Sequence, residues 1–272
     1  MIRPACVLIG AVSLYALPVG AAPITTDTAL PVAAEEFVAR SQVIYSNSSG
    51  GVVDARSVVW ENVLGYGVSA DWALFGVVPA AFTSVDPGAG LAEDLNGIGD
   101  VSLFARYTAY KLNGQGYTFR VAPFAGVELP TGRSGIGSQS TDPFAGLVVT
   151  YLNNDFEIDL SARYQVNTPS EGLNRRDTLN IDGSLQYRVL PRRLGSGVPR
   201  FLYAVGEVNY VRTDAGETAN GPRETLFLTP GLQLVAPTYI VEGAIQIPVH
   251  HRRAPGALEP DFTARFGIRT PF

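Results

Sequence analysis

The segment FEIDLSARYQV, residues 156–166, carries an apolar residue at every second position: Phe156, Ile158, Leu160, Ala162, Tyr164 and Val166. Between them stand Glu157, Asp159, Ser161, Arg163 and Gln165. Period two is the mark of a β-strand with one dry face and one wet face. The dry face of such a strand can pack into a soluble core, or it can face lipid while the charged face lines a lumen. One strand does not distinguish the two.

The pattern recurs. TLNIDGSLQYRV, 178–189, sets Leu179, Ile181, Leu185, Tyr187 and Val189 against Asn180, Asp182, Ser184, Gln186 and Arg188. DVSLFARYTAYK, 100–111, alternates less cleanly, and weaker versions occupy 36–46, 55–68, 72–84, 117–129, 143–152, 200–212, 224–235, 238–250 and 260–272. Together they predict about twelve strands, most about ten residues long or more. Strands of soluble proteins average about five or six residues; a tilted membrane strand needs about ten.

The N-terminus reads as an export signal. Arg3 precedes an apolar run from Ala5 to Leu17, and Val19-Gly20-Ala21 offers small residues for cleavage after Ala21. The single cysteine, Cys6, lies inside that signal, so the exported chain has neither disulfides nor thiol chemistry. After the signal no apolar run is long enough for a spanning helix, so a membrane form of this chain has to be a barrel. The net charge is −5 with no basic block, which excludes nucleic acid as a partner.

Connections sharpen the choice. Short turns at 69–71, 112–116, 153–154 and 236–237 alternate with longer Gly-, Pro- and charge-rich loops at 47–54, 85–97, 130–142, 168–176, 213–223 and 251–259. Only 191–199 is long where a short turn is due. Short periplasmic turns, longer outer loops and an even strand number describe a bacterial outer-membrane barrel. Trp72, Tyr117, Tyr151, Phe156, Tyr187, Tyr239 and Phe272 fall on the dry parity near the turn ends. Tyr45, Phe82 and Tyr164 form a weaker set at the other end. Aromatic girdles of this kind mark the two membrane interfaces. The C-terminal ARFGIRTPF resembles an outer-membrane assembly signal, with Arg265, Gly267 and Phe272 in its slots and Thr270 where an aromatic is usual. The fold class predicted is therefore all-β: a transmembrane antiparallel up-and-down β-barrel of about twelve strands, preceded by a signal peptide. Its parts are a signal at 1–21, a short periplasmic segment at 22–35 and the barrel at 36–272, and its location is the bacterial outer membrane. Pro123 falls mid-strand, where its missing N–H calls for a bulge. Asn62 falls on the face assigned to lipid, which leaves the parity of the second and third strands open.

Three segments resemble one family. LGYGVSADWALFGVVPAAF (64–82), GIGDVSLFARY (97–107) and FAGVELPTG (124–132) are similar to motifs of the MetA-pathway phenol-degradation outer-membrane proteins. The resemblance implies an outer-membrane barrel with a role in taking up aromatic or other small apolar compounds; no binding residues carry over. Gly97-Ile98-Gly99-Asp100 is not a nucleotide loop, since no Gly-Lys-Ser/Thr follows and a strand comes next.

No catalytic or metal-binding constellation emerges, and no cofactor is implied. His250 and His251 are adjacent, so a strand sends them to opposite faces, and Arg252 stands where a Ser–His pair would need its partner. Parity places Arg106, Arg120, Arg163, Arg188, Arg265 and Arg269 in the lumen, with Glu128, Glu157, Asp159, Asp182, Glu207 and Glu242. Balanced signs predict cross-strand pairs: Glu157 with Arg188, Arg163 with Asp182, Glu242 with Arg269, and His250 with Asp261. The function expected is a passive outer-membrane channel or uptake barrel for small, aromatic or apolar compounds. The alternative is a structural or surface-interaction barrel whose lumen is closed by salt bridges. Expected partners are outer-membrane lipid, the barrel-assembly machinery through the C-terminal strand, and a small solute.

Overall fold

The computed structural model describes residues 22–50, 53–86, 93–169, 176–192, 200–214, 223–252 and 259–272. The expected signal at 1–21 lies outside the described residues. The strands are β1 (Phe37–Gly50), β2 (Val53–Gly67), β3 (Trp72–Asp86), β4 (Glu93–Ile98), β5 (Val101–Tyr107), β6 (Tyr110–Gly114), β7 (Tyr117–Leu129), β8 (Asp142–Asn153), β9 (Phe156–Gln165), β10 (Thr178–Leu190), β11 (Phe201–Thr213), β12 (Arg223–Val235), β13 (Ile240–Arg252) and β14 (Glu259–Pro271). Each pairs antiparallel with its neighbours, and β1 pairs with both β2 and β14, so the sheet closes on itself. β4, β5 and β6 are pieces of one interrupted stave between β3 and β7. The result is a closed antiparallel barrel of twelve staves.

Burial shows which way the dry face of residues 156–166 points. Ile158, Leu160 and Tyr164 are exposed on the outer surface, whereas Glu157, Asp159 and Gln165 are buried inside. The same inversion holds around the barrel: between the girdles Leu64, Val78, Leu147, Val208, Ile245 and Phe266 are exposed, and fully buried side chains include Gln42, Gln186, Gln233, Glu157 and Glu242. A soluble protein does the reverse; lipid as the outer solvent explains this one. Outer aromatics gather at the end of the short turns. Phe37 contacts Tyr66 and Phe272 at 4.7 and 5.6 Å between ring centroids, Trp72 contacts Tyr107 at 4.7 Å, and Tyr151 contacts Tyr117 and Phe156. At the loop end Tyr45 meets Phe262 at 5.8 Å, and Phe82 and Tyr164 stand exposed.

The open parity resolves with the even residues of β2 and β3 outward: Trp60, Leu64, Trp72, Leu74, Val78 and Phe82 are exposed. Asn62 is on that outer row. Its Oδ1 accepts from the Ser41 hydroxyl at 2.9 Å, and the same hydroxyl accepts from Trp60 Nε1 at 2.8 Å. The irregularity at Pro123 is in the neighbouring stave. Arg106 pairs with Phe124 and Tyr110 with Val121, so Thr108 and Ala109 together oppose Ala122 and the ladder breaks beside the proline.

Two sets of expectations need correction. The loops predicted at 47–54 and 85–97 are largely strand: β1 and β2 pair as far as Gly50–Val53, and β3 pairs β4 as far as Val85–Glu93. Their Ser-, Gly- and Asp-rich sequences hide ordinary antiparallel pairing. The predicted registers are off by two. Glu157 lies opposite Gln186, Arg163 opposite Asn180 and Asp182 opposite Ser161. Arg269 lies opposite Ile240 rather than Glu242, and the β13–β14 ladder ends at Gln246–Thr263, so His250 and Asp261 are not paired. Faces are preserved by a shift of two, so patterning alone did not choose between the registers.

Candidate functional site

The lumen is filled at its turn end by the chain's own N-terminal segment. Before β1 the chain makes a bridge from Ala34 to Gly67, then runs across the inside of the barrel. Of the segment 22–35 expected in the periplasm, residues 22–30 lie inside the barrel wall, while Pro31 and Ala33 to Glu35 are exposed. Ala22, Ile24, Thr26 and Ala29 are buried there.

Among the described residues the segment has no sheet partner beyond that bridge, and wall side chains meet its backbone groups. Glu207 accepts the N–H of Ile24 at 2.7 Å and of Thr25 at 2.9 Å. Thr150 Oγ1 accepts the N–H of Ala29 at 2.7 Å. Arg106 donates from Nη1 to the Thr28 carbonyl at 2.6 Å and from Nη2 to the Leu30 carbonyl at 2.9 Å. Arg269 donates to Pro23 O at 3.0 Å, Gln42 and Arg40 donate to Ile24 O, and Gln233 donates to Ala22 O. Thr28 Oγ1 donates to Glu157 Oε1 at 3.2 Å, and Asn209 Nδ2 to Thr25 Oγ1 at 2.8 Å. Apolar contact adds to this: Ala29 packs with Ala122, Phe124, Phe144 and Val148, and Ile24 with Val205 and Ala244.

The charged positions read from sequence separate into groups. Arg106, Glu157, Glu207 and Arg269 touch the N-terminal segment, as above. Glu242 clamps the closing staves: Arg40 lies directly opposite Arg269, and Glu242 bridges them at 2.7 and 3.3 Å, with Gln42 and Gln233 donating at 3.0 Å each. Without that carboxylate, like charges would face each other across a ladder. Arg188 sits at the turn-end mouth and pairs with Asp155 at 2.6 Å, not with Glu157. Asp159 accepts from Gln186 at 2.9 Å and from Thr150, and Asp182 accepts from Asn209 at 2.9 Å. Arg163 donates to Gln165 at 2.6 Å and lies 3.8 Å over the Phe144 ring instead of meeting Asp182. Arg120, Glu128 and Arg265 occupy the inward rows of β7 and β14, with the Nε atoms of Arg120 and Arg265 buried.

Sequence reading missed Arg40, Gln42, Thr150, Asn209 and Gln233 on the wall, and the segment they hold. A signal existed: from Ala22 to Ala34 the only charge is Asp27, which is apolar for a linker left in water. It also missed an inner aromatic panel. Phe75 stacks on Phe104 at 4.7 Å, and Phe104 lies 6.0 Å from both Phe124 and Phe144. Glycines make room for it: a Cβ at Gly146 would lie 2.3 Å from the Phe124 ring, and one at Gly126 2.7 Å from Phe144. At the loop end His250 and His251 are exposed, and His251 Nε2 is 3.0 Å from Glu259. Gly267 faces inward, where a Cβ would lie 2.6 Å from Gln42. Phe272 closes the β14–β1 seam, its N–H bonding to Phe37 O at 2.9 Å and its O accepting from Phe37 at 2.8 Å.

The model of the family described as the MetA-pathway of phenol degradation matches residues 41–244, most of the barrel. The chain belongs to this family. None of the curated proteins matches at a significant level. Among solved structures, the barrel is similar to the COG4313 outer membrane channel from Pseudomonas putida F1, with a TM-score of 0.71 and 12% identity over 90% of this chain and 98% of that one. It is similar to the beta domain of the Bordetella autotransporter BrkA, with a TM-score of 0.54 and 13% identity over 87% and 100%. The KdgM porin follows, with a TM-score of 0.50 and 14% identity over 86% and 99%. At such identities these likenesses speak for the fold alone.

Proposed function

We propose that this family member is an outer-membrane channel for small apolar or aromatic compounds, closed at rest by its own N-terminal segment. The carrying observation is that segment: its backbone is hydrogen-bonded by side chains from several separate staves, across the lumen, at the turn end. The inner panel of Phe75, Phe104, Phe124 and Phe144, with Arg106 over Phe75 and Arg163 over Phe144, lies under Ala29 of the segment and suits solutes with an aromatic ring once the segment moves. Transport is passive, with the short turns facing the periplasm. Outer-membrane lipid surrounds the barrel, and the assembly machinery takes hold of its C-terminal strand. The closed-barrel alternative changes in kind: what fills the lumen is a peptide held by polar side chains, and a peptide can shift where a salt-bridged core cannot.

Conductance in planar bilayers tests the reading. Thr28 Oγ1 and Thr150 Oγ1 are 3.2 Å apart, so cysteines at both positions will tether the segment when oxidised. The oxidised protein is expected to lose its openings and its uptake of phenol, and reduction to restore them. Equal conductance in both states would argue against a mobile plug, and no conductance in either would favour a closed barrel.

A further inference from the structure

Among the described residues the lipid-facing surface has one polar anomaly at mid-depth, and that depth is fixed by the aromatic girdles. On β2 the outward row runs from Val58, paired with Tyr45 and Phe82 of the loop-end girdle, to Tyr66, paired with Phe37 of the turn-end girdle. Asn62 is midway between them. On β1 the corresponding row runs from Phe37 to Tyr45, and Ser41, opposite Asn62, is midway as well. Elsewhere, among the described residues, the midway outward positions are apolar: Val78, Leu147, Leu160, Val208, Ile245 and Phe266 are all exposed there.

The Ser41 hydroxyl is fully used, donating to Asn62 Oδ1 and accepting from Trp60 Nε1. No described residue accepts from Asn62 Nδ2. Two amide N–H groups therefore face hydrocarbon, the solvent least able to receive them. Along β2 Asn62 stands between exposed Trp60 and Leu64, and Val78 lies opposite it on β3. The β1–β2 and β2–β3 ladders run without a register shift, and Gly76 and Ala80 flank Asn62 on the next stave.

We propose that this patch is the contact face of a symmetric dimer within the membrane. A two-fold axis along the bilayer normal brings residues of equal depth together, so Asn62 meets the partner subunit's Asn62. A carboxamide is self-complementary: each can donate Nδ2–H to the second lone pair of the other's Oδ1. Interhelical amides associate in bilayers for the same reason, and the exposed Trp60, Leu64 and Val78 supply apolar surface around the amide pair. A second copy is the occupant that supplies an amide at this depth by symmetry; a lipid chain supplies none. The inference rests on the barrel lying in a bilayer and not on what crosses its lumen.

The test uses the full chain in native outer membranes with Cys6 replaced by alanine. Asn62→Cys is expected to give, on mild oxidation, at least a tenfold higher yield of disulfide dimer than Leu160→Cys, which lies midway on the far wall. Native mass spectrometry of the wild type released from lipid nanodiscs is expected to show a dimer that Asn62→Val lowers at least tenfold. Equal crosslinking at 62 and 160, a wild type that is monomeric throughout, or an undiminished dimer in Asn62→Val would each overturn the proposal. So would crosslinking of position 62 to a different polypeptide.

Discussion

Glu207 accepts the backbone N–H of Ile24 at 2.7 Å, across a sequence separation of 183 residues, and that of Thr25 at 2.9 Å. One carboxylate on β11 thereby anchors the start of the lumenal segment. Glu207→Ala leaves two amide donors without their acceptor, at about 1–3 kcal/mol each. The open-to-closed ratio of single channels is expected to rise about tenfold or more, since 1.4 kcal/mol is a factor of ten. Glu207→Gln retains one acceptor oxygen and should open less. An unchanged open probability in Glu207→Ala would show that the segment does not gate.

Asp100 explains why two of the sequence motifs exist. Its Oδ1 accepts the Gly132 N–H at 2.8 Å and its Oδ2 accepts the Ser138 N–H, so the glycine-aspartate strand opener holds the loop after Leu129-Pro130-Thr131-Gly132. Thr131 Oγ1 in turn accepts the N–H of Val101 at 2.9 Å, the residue after Asp100. Asp100→Ala should therefore lower barrel stability by about 1–3 kcal/mol. Asp100→Asn should cost less. Urea unfolding followed by the heat-modifiable gel shift measures both, and equal losses would mean that the charge matters and the geometry does not.

The barrel was legible because period two survives in nearly every strand; the interior was only half legible. Parity tells that Glu207 and Arg106 point inward, yet nothing local in sequence says that their partner is a backbone near residue 24 or 28. Residues 22–35 do not alternate, and their binding sites are scattered from Arg40 to Arg269. Register was illegible for another reason. Moving β10 by two against β9 keeps every apolar residue outward, and Asp182 finds a neutral partner in Ser161 where Arg163 looked better on paper. Arg163 is satisfied by a ring and an amide, which charge counting does not see.

The observed β9–β10 register makes its own forecast. Cysteines at 161 and 182, which lie directly opposite, are expected to crosslink readily in the folded barrel. A pair at 163 and 182, two residues out of step, should crosslink poorly. Dominant crosslinking of the second pair would restore the register read from charges.

Lipid contact is tested on the same strand. Leu160 is 57% exposed on the outer face, while Ser161 turns inward toward Asp182. Leu160→Arg is expected to cost about 2–4 kcal/mol, as a cation near the bilayer midplane does. Ser161→Arg should be milder, since its guanidinium enters a polar lumen. Folding titrations in liposomes give both numbers, and equal penalties would reverse the assignment of faces.

Phe272 joins closure to assembly. Its backbone completes the β14–β1 ladder against Phe37 on both sides, and its ring stacks on Phe37 at 5.6 Å in the turn-end girdle. Deleting it removes two backbone hydrogen bonds from the seam that turns a sheet into a barrel, and exposes the edge of β1 at the membrane interface. It also removes the terminal aromatic of the segment that resembles an assembly signal. The membrane-inserted, heat-modifiable fraction in cells is expected to fall severalfold. Phe272→Ala separates the two contributions, because it keeps the backbone bonds and loses the ring. If Phe272→Ala inserts normally while the deletion does not, seam closure is the cause; if both fail alike, the ring is what the assembly step requires; normal insertion of both would remove Phe272 from either role.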